Sequence, residues 1–314
     1  MLDGADELFC FFQSRRSLEY VCYCAHEVKD EALKRLLGEL PKAGVTLLNL
    51  EEGLPVCKAD GQMEVCAKAI AAGRKQLSPN PACTLLLAGS EKTLALAKDT
   101  KMATIGYGAL AEDAGSLLQP DMLVEGFEEV DVAFLDRVMK RAQGLPWVTL
   151  VTERCYLREI TADDLDDLYE LYAQPGITDY TEPLYERAEE EQYTRDYIAN
   201  MYRFYGYGMW LVCDRTNDSL IGRAGFAHRD LGDEIVLEMG YVIGVPYQRQ
   251  GYAFEVCQTL LSYAKEELSD FEEVNCFVEP GNVASHGLMK KLCFEEKGTI
   301  QVQQKQLVHY CKKL

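Results

Sequence analysis

Apolar positions along the first 140 residues follow two alternating rhythms. Short apolar runs at Leu18–Ala25, Val45–Leu50, Cys83–Ala88, Ala103–Tyr107 and Met122–Glu125 read as buried strands. Between them Glu31–Leu40, Gln62–Gln76, Glu91–Lys101 and Val130–Gln143 have the composition and spacing of amphipathic helices. Pro41 and the run Ser78-Pro79-Asn80-Pro81 stop two of them. Strands alternating with helices of this length predict right-handed crossovers and a Rossmann-like, mostly parallel sheet with helices. The helical rhythm ends at Gly144-Leu145-Pro146-Trp147, which divides the chain into domains 1–146 and 147–314.

The second half begins with a strand at Cys155–Ile160, then Thr161-Ala162-Asp163-Asp164. Thr161 suits a helix N-cap, with Asp164 at the reciprocal capping position, and the four aspartates between 163 and 167 favour the positive end of a helix. That helix runs to about Ala173, and a second spans Arg187–Tyr205. Strands follow at Met209–Asp214, Leu220–Arg229 and Ile235–Ile243, then a long helix at Gly251–Leu268. A strand at Glu273–Val278, a helix at Ala284–Leu292 and a strand-rich terminus complete an α/β pattern.

Composition narrows the classes of function. A chain of 314 residues with 48% hydrophobic and 26% charged residues is ordinary for a globular protein of two domains. The net charge of −19 repels phosphate backbones, so no nucleic-acid partner is expected, and a cationic amine is the partner it favours. The acidity lies mainly in the second half, at −13 against −6 for residues 1–150. The twelve cysteines form no CxxC pair and sit singly in apolar runs. They read as reduced core residues rather than a disulfide framework or a metal site. An acidic start and the lack of any membrane-length apolar run predict a cytoplasmic protein with no membrane partner.

The chemistry concentrates in Leu237-Glu238-Met239-Gly240-Tyr241-Val242-Ile243-Gly244-Val245-Pro246-Tyr247-Gln248-Arg249-Gln250-Gly251-Tyr252-Ala253, which opens a helix at Phe254-Glu255. A strand runs through a turn directly into a helix. The first turn of a helix leaves main-chain N–H groups without intrahelical partners at a positive dipole end, which suits phosphate. Gly251 and Ala253 keep the approach open, and Arg249 adds a cation. Downstream, Asn282 and Ser285 open another helix.

The run LEMGYVIGVPYQRQGYAFE resembles motif A of the GNAT N-acetyltransferase superfamily, and NVASHGLMKKLCFEEKG resembles its motif B. The likeness covers about residues 154–314 and is greatest to the ribosomal-protein N-terminal acetyltransferase branch. It implies a GNAT α/β fold with a mixed sheet, and acetyl-CoA as co-substrate with no metal. It also implies direct transfer of the acetyl group to a primary amine, on a small cationic molecule or a protein N-terminus. By the same resemblance the stretch Gln248, Arg249, Gln250, Gly251, Tyr252, Ala253 and Phe254 holds the pyrophosphate. Val242, Ile243 and Val245 pair with the pantetheine arm, and Asn282 and Ser285 lie along it. Glu238 matches the base, and Ser285, Tyr241 or solvent is left to protonate the thiolate, because the position of the family's usual tyrosine is Met289. A non-catalytic acyl-CoA sensor, with the first domain as its output, is the alternative. His228 and His286 have no Cys or Asp partner at useful spacing.

The first half faintly resembles a haloacid dehalogenase-like domain, in Thr84–Ser90 and Met102–Tyr107, with Lys58 matching that family's lysine. The expected Asp-x-Asp is absent from Leu18–His26, and Gly89 and Thr93 stand where two acids belong. A degenerate, non-catalytic domain is therefore the expectation.

Overall fold

The computed structural model describes residues 17–52, 55–57, 63–65, 80–108, 110, 119–232, 234–302 and 305–314. Backbone contacts divide them into two compact units, one ending at Trp147 and one starting at Val148.

The first unit contains β1 (Tyr20–Tyr23), α1 (Glu31–Glu39), β2 (Thr46–Asn49), β3 (Pro55–Cys57), β4 (Met63–Val65), β5 (Thr84–Ala88), α2 (Glu91–Leu94), β6 (Ala103–Tyr107), β7 (Met122–Val124) and α3 (Val132–Ala142). Five strands form one parallel sheet in the order β2-β1-β5-β6-β7. Every residue of β5 and β6 is buried, as their unbroken apolar runs require of strands covered on both faces. Asp30 and Asp131 cap α1 and α3 by accepting from Ala32 and Phe134 N–H, each at 2.7 Å.

Two expected helices differ. Gln62–Gln76 begins as β4, paired antiparallel with β3, and most of its remainder lies outside the described residues, as does Lys58. Glu91–Lys101 is helical only to Leu94. A 3-10 turn follows at Ala95–Ala97, and Asp99 takes the left-handed conformation (φ 62°), which a continuing helix forbids.

Ligands of parallel sheets sit where the strand order reverses, outside the carboxyl ends of the strands. Here that place lies between β1 and β5, and the chain fills it. Glu27 accepts from Gly89 N–H at 2.9 Å and from the Ser90 and Thr93 hydroxyls, while Cys24 lies 3.6 Å from Thr93. A separate cleft of about 500 Å³ opens at the amino ends of β6 and β7, lined among others by Lys98, Lys101, Thr104 and Asp121.

The second unit contains β8 (Val148–Val151), β9 (Cys155–Arg158), α4 (Leu165–Tyr172), α5 (Arg187–Tyr197), β10 (Met209–Asp214), β11 (Leu220–Asp230), β12 (Ile235–Ile243), α6 (Tyr252–Glu267), β13 (Glu273–Val278), α7 (Val283–Lys291), β14 (Glu295–Val302) and β15 (Lys305–Lys313). They build a mixed sheet in the order β14-β15-β13-β12-β11-β10-β9-β8. All of its neighbours are antiparallel except β12 and β13. Residues 198–205 continue α5 as a π-helix, closed by Gly206 at φ 79°. Trp210 and Phe226 are fully buried against Tyr263 of α6, so α6 covers that face of the sheet.

Nine of the described cysteines are free thiols, and eight of those nine are buried. No described helix is long and apolar enough to cross a membrane.

The capping box at Thr161 is present, and its Asp164 also takes two hydrogen bonds from Arg158, at 2.6 and 2.8 Å. Burial alone raises the Asp164 pKa, but the Arg158 and Thr161 bonds outweigh it and hold the carboxyl below its ordinary 3.8. A depressed carboxyl contributes stability that is complete above its unfolded pKa and disappears as pH falls through the folded one. Asp164→Asn should therefore melt on the order of 10 °C lower at pH 7, since removing one partner of a buried pair costs roughly 3 kcal/mol. The gap to the native protein should close below about pH 4. Melting curves across that range check it, and a gap independent of pH would refute it.

Candidate active site

Strand β12 carries the site because it loses one neighbour partway along its length. It pairs with β11 continuously from Ile235 to Ile243, but with β13 only at Glu238 opposite Asn275. Beyond that point the β12–β13 ladder stops, which leaves a slot for main-chain pairing along β12 from Gly240 onward. An extended chain segment fits such a slot by main-chain hydrogen bonding.

At the end of β12 the chain enters α6 through a turn with two left-handed residues, Arg249 at φ 57° and Gly251 at φ 89°. Among the described residues no main-chain N–H from Arg249 to Phe254 has an acceptor at hydrogen-bonding geometry. The first to donate is Glu255, to the Gly251 carbonyl at 3.1 Å. Six successive donors are thus presented at the positive end of a helix of 16 residues. Glycine at 251 reaches this conformation without the strain a β-carbon brings.

Arg154, which no sequence pattern singled out, fixes the turn. Its Nε donates to Glu255 Oε2 at 2.6 Å, its Nη1 to the Gln250 carbonyl at 3.0 Å, and its guanidinium lies 4.0 Å from the Tyr252 ring centre. Burial raises the Glu255 pKa, yet the bonds from Thr152 and Arg154 prevail and keep it below its usual value. Lys291 of α7 adds a further cation, 4.0 Å from the Phe254 ring centre.

The main chain assigned to pantetheine is partly engaged by glutamines. Gln174 Oε1 accepts from Val245 N–H at 2.7 Å, and Gln248 Nε2 donates to the Ile243 carbonyl at 2.8 Å. Gln250 Nε2 donates to the Pro246 carbonyl at 2.6 Å. Gln248 and Gln250 therefore brace the turn with their side chains, leaving their backbone for the anion. Val242 is buried, its carbonyl 2.2 Å from where a β-carbon on Gly222 would stand.

Side chains alternate across a strand, and this separates the proposed catalytic groups. Tyr241 faces α6 and α7. Its hydroxyl is buried without a partner at hydrogen-bonding geometry, with Ser285 and Cys257 beside it. Burial pushes the phenol well up, and the Ser285 contact opposes this only in part. Ser285 stands on the first turn of α7, its N–H donating to the Asn282 Oδ1 cap at 3.1 Å. Met289 is fully buried and offers no proton.

Glu238 points to the other face, which α4 and α5 cover. Arg229 grips both its oxygens, at 2.6 and 3.0 Å, and lies 5.1 Å from the Phe277 ring centre. Each Glu238 oxygen thus has one lone pair committed to arginine and one left for a proton or water. His228 is bound to the Tyr207 hydroxyl at 2.6 Å, and His286 contacts the Tyr310 hydroxyl at 2.9 Å, so both have structural partners.

A strand that leaves its parallel neighbour and runs into a helix presenting free amides can hold an extended chain that ends in a phosphate. Residues 154–295, which lie in the second unit, match the family described as acetyltransferase (GNAT) domain. The chain is similar to the uncharacterized protein YkkB of Bacillus subtilis, with 26% identity over 168 residues, 52% of this chain and 95% of the relative. It is also similar to the uncharacterized N-acetyltransferase p20 of Bacillus licheniformis, with 28% identity over 162 residues, 50% of this chain and 88% of the relative. Among solved structures, the GNAT-family acetyltransferase from Bacillus anthracis aligns with 21% identity and a TM-score of 0.43, covering 52% of this chain and 97% of that one.

Proposed function

We propose that residues 147–314 transfer acetyl from acetyl-CoA to a primary amine in a ternary complex, and that residues 1–146 are a non-catalytic domain. The carrying observation is the run of six unengaged amides at the start of α6, beside the slot between β12 and β13. Bound there, acetyl-CoA supplies an electrophilic thioester carbonyl. Arg249 to Phe254 hold the diphosphate, and the edge of β12 aligns the arm.

The chain's residues have two proton tasks. An ammonium must lose its proton before the nitrogen attacks, and Glu238, through the lone pairs Arg229 leaves open, accepts it by way of water. As the new N–C bond forms and the C–S bond breaks, Ser285 on α7, with the Tyr241 hydroxyl beside it, supplies a proton to the sulfur. For the first domain, the supporting fact is local: Glu27 closes the crevice at β1 and β5, and Cys24, Gly89 and Thr93 put no pair of carboxylates there.

The acidic side chains on α5 and just before it are largely committed within the protein. Glu182 pairs with Lys305 at 2.9 Å, Glu191 pairs with Arg187 at 2.9 Å, and Glu190 is buried and accepts from Tyr185 N–H. Asp179 and Glu189 remain exposed, so the cationic character of the acceptor rests on its ammonium alone.

Release of free CoA across an amine panel tests the reading. Glu238→Gln should lower kcat by about 100-fold with an unchanged Kd for CoA. The deficit should narrow as pH rises toward the pKa of the amine, where less deprotonation is required. A deficit constant with pH would assign Glu238 a purely structural role.

A further inference from the structure

Arg223 is the one interior cation of β11 that the chemistry above leaves without a task. It lies opposite Val242, on the same sheet face as Gly240 and Glu238. Gly240 is two residues along from Val242, so Arg223, one strand over, stands about 8 Å from Gly240 by backbone spacing. Tyr172 of α4 and Tyr197 of α5 pack over it, with its guanidinium 5.9 Å from the Tyr197 ring centre.

Its electrostatics are unresolved within the protein. The Nε is shielded from solvent and has no hydrogen-bond partner. Among the described residues no carboxylate lies within ion-pair distance of Arg223, whereas the neighbouring Arg158 holds Asp164 and Arg229 holds Glu238. A second donor stands beside it. The Tyr197 hydroxyl accepts from Met209 N–H at 2.6 Å, and its own proton has no acceptor among the described residues. Tyr172 contacts the guanidinium as a neutral partner, but the Arg223 Nε and the Tyr197 proton are left over, and two adjacent donors, one of them cationic, suit an acceptor-only anion. A carboxylate meets the planar fork of arginine with two parallel bonds. The aromatic cluster reaches the surface: Tyr193, 42% exposed, lies 5.9 Å from Tyr197 between ring centres, and Tyr185, 49% exposed, lies 5.4 Å from Tyr193.

We infer that Arg223 and Tyr197 form the carboxylate subsite of the acceptor pocket, so that the acetylated amine is one that also carries a carboxylate, as a free amino acid does. The inference rests on the acetyl-transfer reading and deepens it. It also fits the charge of the chain: a zwitterion is neutral overall and is not repelled by an acidic surface, and the buried arginine supplies the attraction locally. A bulkier acceptor without an anionic group would leave Arg223 uncompensated on closure.

The test compares free amino acids with their primary amides, at equal amine reactivity, as acceptors for the full chain. The native protein should favour the acid by 100-fold or more in kcat/KM. Arg223→Met should bring that ratio near one, and Arg223→Lys, which keeps charge but loses the fork, should give an intermediate ratio. Unchanged CoA binding in both variants serves as the control for folding. Equal use of acid and amide by the native protein overturns the inference, as does a preference that survives Arg223→Met. If the native protein acetylates no amine in the panel, the acetyl-transfer reading fails for these acceptors, and a binding measurement then decides the subsite. Calorimetry of N-acetyl amino acids into the protein–CoA complex should give heat with the native chain and none with Arg223→Met. Absence of heat with the native chain overturns it.

Discussion

Gly251→Asp should abolish useful binding of acetyl-CoA, raising Kd by about 1,000-fold while leaving the fold intact. Two properties of position 251 make the substitution informative. Its φ of 89° lies where aspartate is tolerated better than almost any other residue with a β-carbon, and the β-carbon itself meets only Arg154 Nη2, at 3.5 Å. The backbone conformation therefore survives. The carboxylate, however, is delivered to the six amides at the start of α6, and it competes for them as an internal anion. Hydrogen bonds to charged groups contribute roughly 1.5–3 kcal/mol each, so losing two accounts for the expected factor. Arg154 should accept the new carboxylate as well, because it already spans Glu255 and the Gln250 carbonyl. Calorimetry with CoA, run beside a melting curve, separates the outcomes. A native melting temperature with native affinity would remove the turn from the binding site.

What the sequence made legible is uneven for a physical reason. Elements with an unbroken apolar rhythm were placed to within a residue or two. Ala103–Tyr107 and Met209–Asp214 fall where their patterns put them, because burial on a strand face leaves a local signature. The turn into α6 was legible too, since a left-handed glycine at the start of a helix is a local requirement. Strand β8 was missed: four residues after Trp147 carry too short a pattern. The early end of α2 depends on Thr93 reaching Glu27, a contact 66 positions away in sequence. The site divides along the same line. Gly251, Asn282 and Ser285 belong to contiguous motifs. Arg154, Gln174, Arg223 and Arg229 act on groups brought to them only by the register of the sheet. The Arg229 grip on Glu238 changes how that carboxylate can work, and no pattern within either strand announces it.

The register that assembles the site depends on an empty volume at Gly222, where Gly222→Ala should lower the melting temperature by roughly 6–12 °C, equivalent to about 3 kcal/mol. A β-carbon there would lie 2.2 Å from the Val242 carbonyl oxygen and 3.1 Å from the Ile243 α-carbon. Both are main-chain atoms of β12, so no rotamer change relieves the clash, and only separating β11 from β12 makes room. That separation moves the Val242 and Ile243 edge facing the slot. It also shifts Arg223 relative to Gly240, so CoA binding should weaken together with stability. Gly287→Ala on α7 provides the contrast, because nothing lies within 4 Å of its added β-carbon. A helix-interior glycine replaced by alanine should raise stability by about 0.5–1 kcal/mol. The two substitutions add the same methyl group to the same domain, and they differ in whether main chain stands opposite. If Gly222→Ala melts within about 2 °C of the native protein, the close approach of the strands at that point is not part of the folded state.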